Sequence, residues 1–194
     1  QGEASLHAGG EAWGEPSAHL PPTAFVDFLQ NHDQVGNRAM GDRLTTLADE
    51  RKLDALDAIH LLSPHIPLVF MGEEWRETRP FRFFTDFSGD LADAVREGRR
   101  KEFAGFEAFG SKKDRDAIPD PNAEKTFAAS KLDWNKRDAP EHARHQERFK
   151  RLLALRHRHI VPLLDDAAAT KGEILSAVDG ILAIDWAIGD ARLS

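Results

Sequence analysis

The chain has 194 residues, 41% of them hydrophobic, with a net charge of −7 and no cysteine. That composition fits a globular protein with a core. It excludes a disulfide framework and a cysteine-built zinc site, and the acidic balance argues against a nucleic-acid partner. No apolar run approaches the roughly 18 residues of a membrane helix, and the sequence as it stands opens with no basic-then-apolar leader, so a cytoplasmic protein is expected. Gln1 in place of Met, and a strand expected to begin in "GDARLS" (189–194), predict a piece of a longer polypeptide.

Residues 1–22 hold Gly, Ser, Pro and His without an apolar period and read as loop. The apolar run at 24–30, with Phe25, Val26, Phe28 and Leu29, predicts a short strand. Leu47, Leu53, Leu56, Ile59 and Leu62 fall mostly at helical spacings, which predicts a helix over 46–62 with one buried face, stopped by Pro64 and Pro67. "PLVFM" (67–71), closed by Gly72, predicts a second strand. Strand, helix, strand in this order is a βαβ unit, whose strands are parallel. Neither strand alternates polar and apolar residues, so both of its faces are expected to be covered.

Residues 76–140 read as irregular, apart from a helix at 90–104 with Asp90 as its N-cap. A loop region of that size is usually functional or disordered. "PEHARHQERFKRLLALRHRH" (140–159) predicts a helix with Phe149, Leu152, Leu153 and Leu155 on its inner face. Pro140 starts it, and Glu141 suits its first turn. After Pro162 the pattern changes. "EILSAVDGILAIDWAIGD" (173–190) alternates and turns at Asp179-Gly180, which predicts a β-hairpin. The expected division is 1–162 as one α/β domain and 163–194 as the start of a small β domain.

Two polar clusters follow the two strands. Asn31, His32, Asp33 and Gln34, with Asn37 and Arg38 close behind, follow the first; Gly72-Glu73-Glu74-Trp75 follows the second. Parallel neighbours point their carboxyl ends the same way, so both clusters are expected on one rim, where α/β folds collect ligands and catalytic groups. Asn and Asp also follow strands simply as turn and cap residues, and acids suit a first helical turn, so a purely structural reading stands beside the functional one.

At these residues the sequence resembles a known family. "FLQNHDQVGNR" (28–38) is similar to the segment ending the seventh barrel strand of the α-amylase superfamily, glycoside hydrolase family 13, and "HIPLVFMGEEW" (65–75) to the segment ending the eighth. The match is closer to that family's trehalose-releasing subgroup. It extends through "NHDQVGNRAMGDRL" (31–44), "PFRFFTDF" (80–87), "AVREGRRKEF" (94–103) and "SKLDW" (130–134). The resemblance implies an α/β fold: the C-terminal part of a (β/α)8 barrel, strands seven and eight with their helices, then a small all-β domain.

It also implies a retaining glycosidase without a cofactor, acting on maltooligosyl trehalose or a related α-1,4-glucan oligosaccharide. Such enzymes use one carboxylate as nucleophile and one carboxylic acid as proton donor. The family's third carboxylate carries over to Asp33, as the group that grips sugar hydroxyls and stabilises the transition state, and its sugar-binding histidine to His32. Asn31, Gln34, Arg38 and Phe84 are candidate substrate contacts. The nucleophile and the acid follow the fourth and fifth strands of the family, which would precede Gln1, so the chain alone is expected to be inactive. Glu73 and Glu74 are not taken as the missing pair.

Other features keep two readings each. Phe81, Phe83, Phe84 and Phe87 serve either as sugar-stacking faces or as core, and so do Trp75 and Trp134. Tyrosine, common in amylase-type sugar sites, is absent. The arginines of 140–159 read as a solvated face, and His142, His145, His157 and His159 lack the carboxylate support of a metal site. Competing functions are a branching or debranching enzyme, a metal-dependent His-Asp phosphohydrolase, and a non-catalytic fragment.

Overall fold

A computed structural model describes residues 9–12, 14–17, 19–164, 170–178, 181–188 and 191–193. Backbone contacts divide the chain into two units. One comprises Gln1–Asp27, Ile59–Leu68 and Arg151–Ser194; the other comprises Phe28–Ala58 and Val69–Lys150.

The first unit holds β1 (Val26–Asp27) and β2 (Ile66–Pro67), paired in parallel with Val26 opposite Ile66 and Asp27 opposite Pro67. The Ile66 N–H donates to the Phe25 carbonyl at 2.9 Å and the Leu68 N–H to the Asp27 carbonyl at 2.8 Å. Pro67 lies between these two donors, so its missing N–H faces away from β1 and costs the pair nothing. His65 reinforces the pair through Nδ1, 2.6 Å from Asp27 Oδ2, and the Nε2 of His60 lies 3.0 Å from the Asp27 carbonyl. The strands are parallel as expected but shorter than 24–30 and 67–71. Their faces are not covered: Val26 is 54% exposed, and Ile66 and Leu68 are also exposed.

Between the strands in sequence run α1 (His32–Gly36), α2 (Leu44–Leu47) and α3 (Glu50–Leu62). The expected single helix over 46–62 is thus broken at Ala48, which is extended. Asp49 starts α3, its Oδ1 accepting from the Lys52 N–H at 3.0 Å. In the first unit the carbonyls at the end of α3 are collected by Arg156, which donates to Leu61 O at 3.1 Å, to Ser63 O, and to His65 O at 2.6 Å. A helix end leaves its last carbonyls without partners, and this guanidinium supplies them.

Residues 76–140 are more ordered than the sequence suggests. They form α4 (Gly89–Glu102), α5 (Lys112–Asp116) and α6 (Glu124–Ser130). The residue at the N-cap of α4 is Ser88; Asp90 sits in the first turn instead, where its charge suits the helix dipole. Then α7 (Pro140–Leu155) continues through a π-helical turn, Arg156–Ile160, into α8 (Val161–Leu164). Phe149 and Leu152 of α7 are buried, whereas Leu153 and Leu155 are exposed. Among its polar residues His142 is buried, and the helix is followed by buried Arg156.

β3 (Thr170–Val178), β4 (Ile181–Ile188) and β5 (Ala191–Leu193) form an antiparallel sheet in that order, with an irregularity between Ile174 and Ser176. The expected turn residues Asp179 and Gly180 lie outside the described residues. In the second unit Val35, Leu53, Phe70, Trp75, Ala92, Phe103, Ile118 and Phe149 are buried. Edge-on ring contacts link Phe70 to Phe81 (5.2 Å between centroids), Phe81 to Phe84 (5.6 Å) and Phe84 to Phe127 (5.1 Å). No helix among the described residues is long and apolar enough to cross a membrane.

Candidate active site

The polar cluster after β1 is a single helical turn set by its own first residue. Asn31 is extended, and its Oδ1 accepts the Gln34 N–H at 2.9 Å, so it caps α1. Val35 and Gly36 on the same turn are buried and hold it down. His32 and Asp33 are thereby left exposed side by side, with His32 Nε2 3.3 Å from Asp33 Oδ1 and both side chains 71% exposed. Gln34 is exposed beside them. Arg38 turns to Asp42, 3.5 Å away and also at the surface. An exposed carboxylate next to an imidazole, on a turn fixed from beneath, is free to hydrogen-bond a ligand's hydroxyls.

The cluster after β2 has a different character. Glu73 is buried, and its Oε2 accepts the Phe70 N–H at 2.9 Å. Burial pushes Glu73 up to about 7; Asp57 adds to that, while the Phe70 N–H, Gln30 and Arg43 pull the other way. Glu77 is more buried still, yet stays below the ordinary carboxylate value. Burial raises it, but the N–H groups of Arg79, Asp133 and Thr78, at 2.9, 2.7 and 2.8 Å, together with Arg43, outweigh that. Both acids, Glu73 and Glu77, serve the interior.

Two residues that the sequence does not single out, Gln30 and Arg43, are buried next to these clusters in the chain fold. Gln30 directly precedes Asn31. It is buried, and its Oε1 accepts the Leu44 N–H at 3.0 Å. Arg43, 1% exposed, donates to Arg79 O at 2.7 Å and Met71 O at 2.9 Å, with its guanidinium 4.9 Å from the Phe70 ring centroid. Burial lowers its pKa, against the pull of Glu77, Glu73 and Glu74. A polar side chain at the end of an apolar run, like Gln30, or in a polar stretch, like Arg43, shows no period, so nothing in the sequence marks these two for burial.

The aromatic candidates divide. Phe84 is half-buried, with its ring between Phe81 and Phe127. Trp75 is 1% exposed and packs on Trp134 with 4.9 Å between centroids, so it is core; Trp134 is exposed. The Nδ1 of His142 lies 2.7 Å from the Trp75 carbonyl, which gives this histidine a structural partner. Among the described residues no three His, Asp or Glu side chains gather into a metal-binding group.

No family model matches the chain. It is 46% identical over 143 residues to malto-oligosyltrehalose trehalohydrolase of Deinococcus radiodurans, a match covering 74% of this chain and 23% of that one. It is 44% identical over 126 residues to the protein of the same name from Saccharolobus solfataricus, covering 64% and 20%. A crystal structure of a protein from Salmonella typhimurium, provisionally described as an alpha amylase, superposes with a TM-score of 0.86 at 52% identity, over 99% of this chain and 32% of that one. The chain spans about a quarter of the length of the curated relatives it matches.

Proposed function

The chain belongs to the glycoside hydrolases of the α-amylase family, with malto-oligosyltrehalose trehalohydrolases among its relatives, and from that premise we propose that it supplies part of the sugar site of a retaining α-glycosidase. The reaction is hydrolysis of the α-1,4-glucosidic bond next to the trehalose unit of maltooligosyl trehalose, which releases trehalose. The nucleophile and the proton donor come from polypeptide outside these residues, so the 194-residue chain alone is inactive. In this reading β1 and β2 are the seventh and eighth strands of a (β/α)8 barrel, and residues from 163 onward begin a separate β domain.

The observation that carries the reading is the capped turn after β1, which leaves His32 and Asp33 exposed together. Retaining glycosidases pass through an oxocarbenium-like transition state, and hydrogen bonds to the sugar 2-OH strengthen as the ring flattens. A bond to an ionised carboxylate is roughly twice as strong as a neutral one. Asp33 supplies that bond and His32 a second contact to the same sugar. Asn31, Gln34 and Arg38 contribute from the same segment, and Phe84 offers an apolar face.

The test is Asp33→Asn in the full-length polypeptide, assayed for trehalose release from maltooligosyl trehalose. The amide keeps the shape and loses the charge. The fold should persist, while kcat falls by roughly a hundredfold or more, the loss expected when a preorganised transition-state hydrogen bond is removed. Near-normal turnover removes Asp33 from this role. Glucan products without trehalose point to a branching or debranching activity instead.

A further inference from the structure

We propose that Arg99 is a positioning residue for Asp33. It rests on the reading of Asp33 just given and extends it to a residue far along the chain. The turn α1 has only five residues, too few to hold a helical shape by itself. Its start is fixed by Asn31, and its far end is fixed by Arg99 of α4. One nitrogen of the Arg99 guanidinium, Nη2, donates to both the Gly36 carbonyl at 2.7 Å and the Arg38 carbonyl at 2.9 Å. These carbonyls close the turn that carries His32 and Asp33.

The clamp is itself held. The Arg99 guanidinium lies 5.0 Å from the Phe83 ring centroid and 4.8 Å from that of Phe103, with only 7% of the residue exposed. Its Nη1 reaches Glu102 Oε2 at 3.2 Å. A flat, delocalised cation stacks against aromatic faces while aiming its donors in fixed directions; a lysine ammonium lacks that planar fork. The arrangement gives a shared role to Phe83 of "PFRFFTDF" and to Arg99 and Phe103 of "AVREGRRKEF", none of which the sugar-site reading uses.

The experiment is a double-mutant cycle in the full-length polypeptide, with Arg99→Ala, Arg99→Lys, Asp33→Asn and the two combinations, reading kcat, KM and melting temperature. A displaced catalytic turn lowers kcat by roughly tenfold to a hundredfold. Arg99→Ala should show that loss with KM changed far less, recover part of it in added methylguanidinium, and lose little further in the Asp33→Asn background. If Arg99→Ala does not fold, the cycle is read on Arg99→Lys, which keeps the charge and the stem and should lose kcat with a smaller change in melting temperature. The proposal is overturned if the arginine variants lose the same factor with and without Asp33, or if Arg99→Lys turns over at the wild-type rate. Near-normal turnover of Asp33→Asn alone refutes the underlying role of Asp33, a result separate from either of these.

Discussion

Glu73 and Glu77 sit four residues apart, both buried, and shift in opposite directions. The difference lies in their donors. Glu77 receives three backbone N–H groups, which favour the charged form, whereas Glu73 receives one N–H and stands at about 7. Because its folded value lies above the ordinary 4.5, Glu73 keeps a proton in the folded chain that the unfolded chain has released. Its contribution is therefore fully present below about 4.5 and is lost as pH rises through about 7. At about 1.4 kcal/mol per pKa unit, the effect amounts to roughly 3 kcal/mol. Glu73→Gln, a neutral isostere, should flatten that dependence: urea denaturation at pH 5 and pH 8 should show the variant gaining on the wild type at the higher pH. Parallel curves would mean that Glu73 holds no proton. Glu77→Gln should act oppositely. A single amide oxygen cannot satisfy three N–H donors, so a loss of about 1–3 kcal/mol is expected at neutral pH.

At the scale of elements, the turn from Gly72 to Glu77 shows where the sequence could be read and where it could not. Gly72 has φ 85°, and a Cβ there would lie 2.7 Å from Glu77 Cβ and 2.8 Å from Leu132 Cδ2. Gly72→Ala should therefore cost about 1–3 kcal/mol, seen as a lower denaturation midpoint with an unchanged slope. The glycine was visible as the end of an apolar run. Arg76, which adopts φ 59° without being glycine, was not; ion pairs to Asp54 and Asp57 at 2.5 and 3.0 Å hold it there. The same division runs through the chain. Apolar runs exposed the parallel pair and the helix before Pro64, but not how short the ladder would be, since pairing depends on neighbours. Asp49 is an N-cap signal that Leu47 masked by appearing to extend the helical spacing. The helices α5 and α6 are short and polar, with too few apolar positions to form a period. The Asn31–Gln34 cluster stood out because it follows Phe28 and Leu29, whereas the buried Gln30 lay hidden in the same run.

For the whole molecule, the exposed strand faces set how the isolated chain should behave. In the first unit β1 and β2 pair only with each other among the described residues, so each has an outer edge with unpaired backbone groups. A two-stranded sheet is marginal in water, and unpaired edges template association with other chains. Here the edge carries apolar side chains as well, with Val26, Ile66 and Leu68 at 54%, 41% and 42% exposure. The one charge on β1, Asp27, is engaged with His65, and Pro67 protects only one position of β2. The purified 194-residue chain should therefore self-associate. Light scattering should rise with concentration, and a dye that binds exposed apolar surface should fluoresce without denaturant. Val26→Thr with Ile66→Thr keeps the branched shapes favoured in strands while removing apolar surface, so it should reduce both signals without raising stability. A wild-type chain that stays monomeric and melts in one sharp, cooperative transition would show that these faces do not need covering. It would also undercut the proposal that β1 and β2 belong to a larger closed sheet.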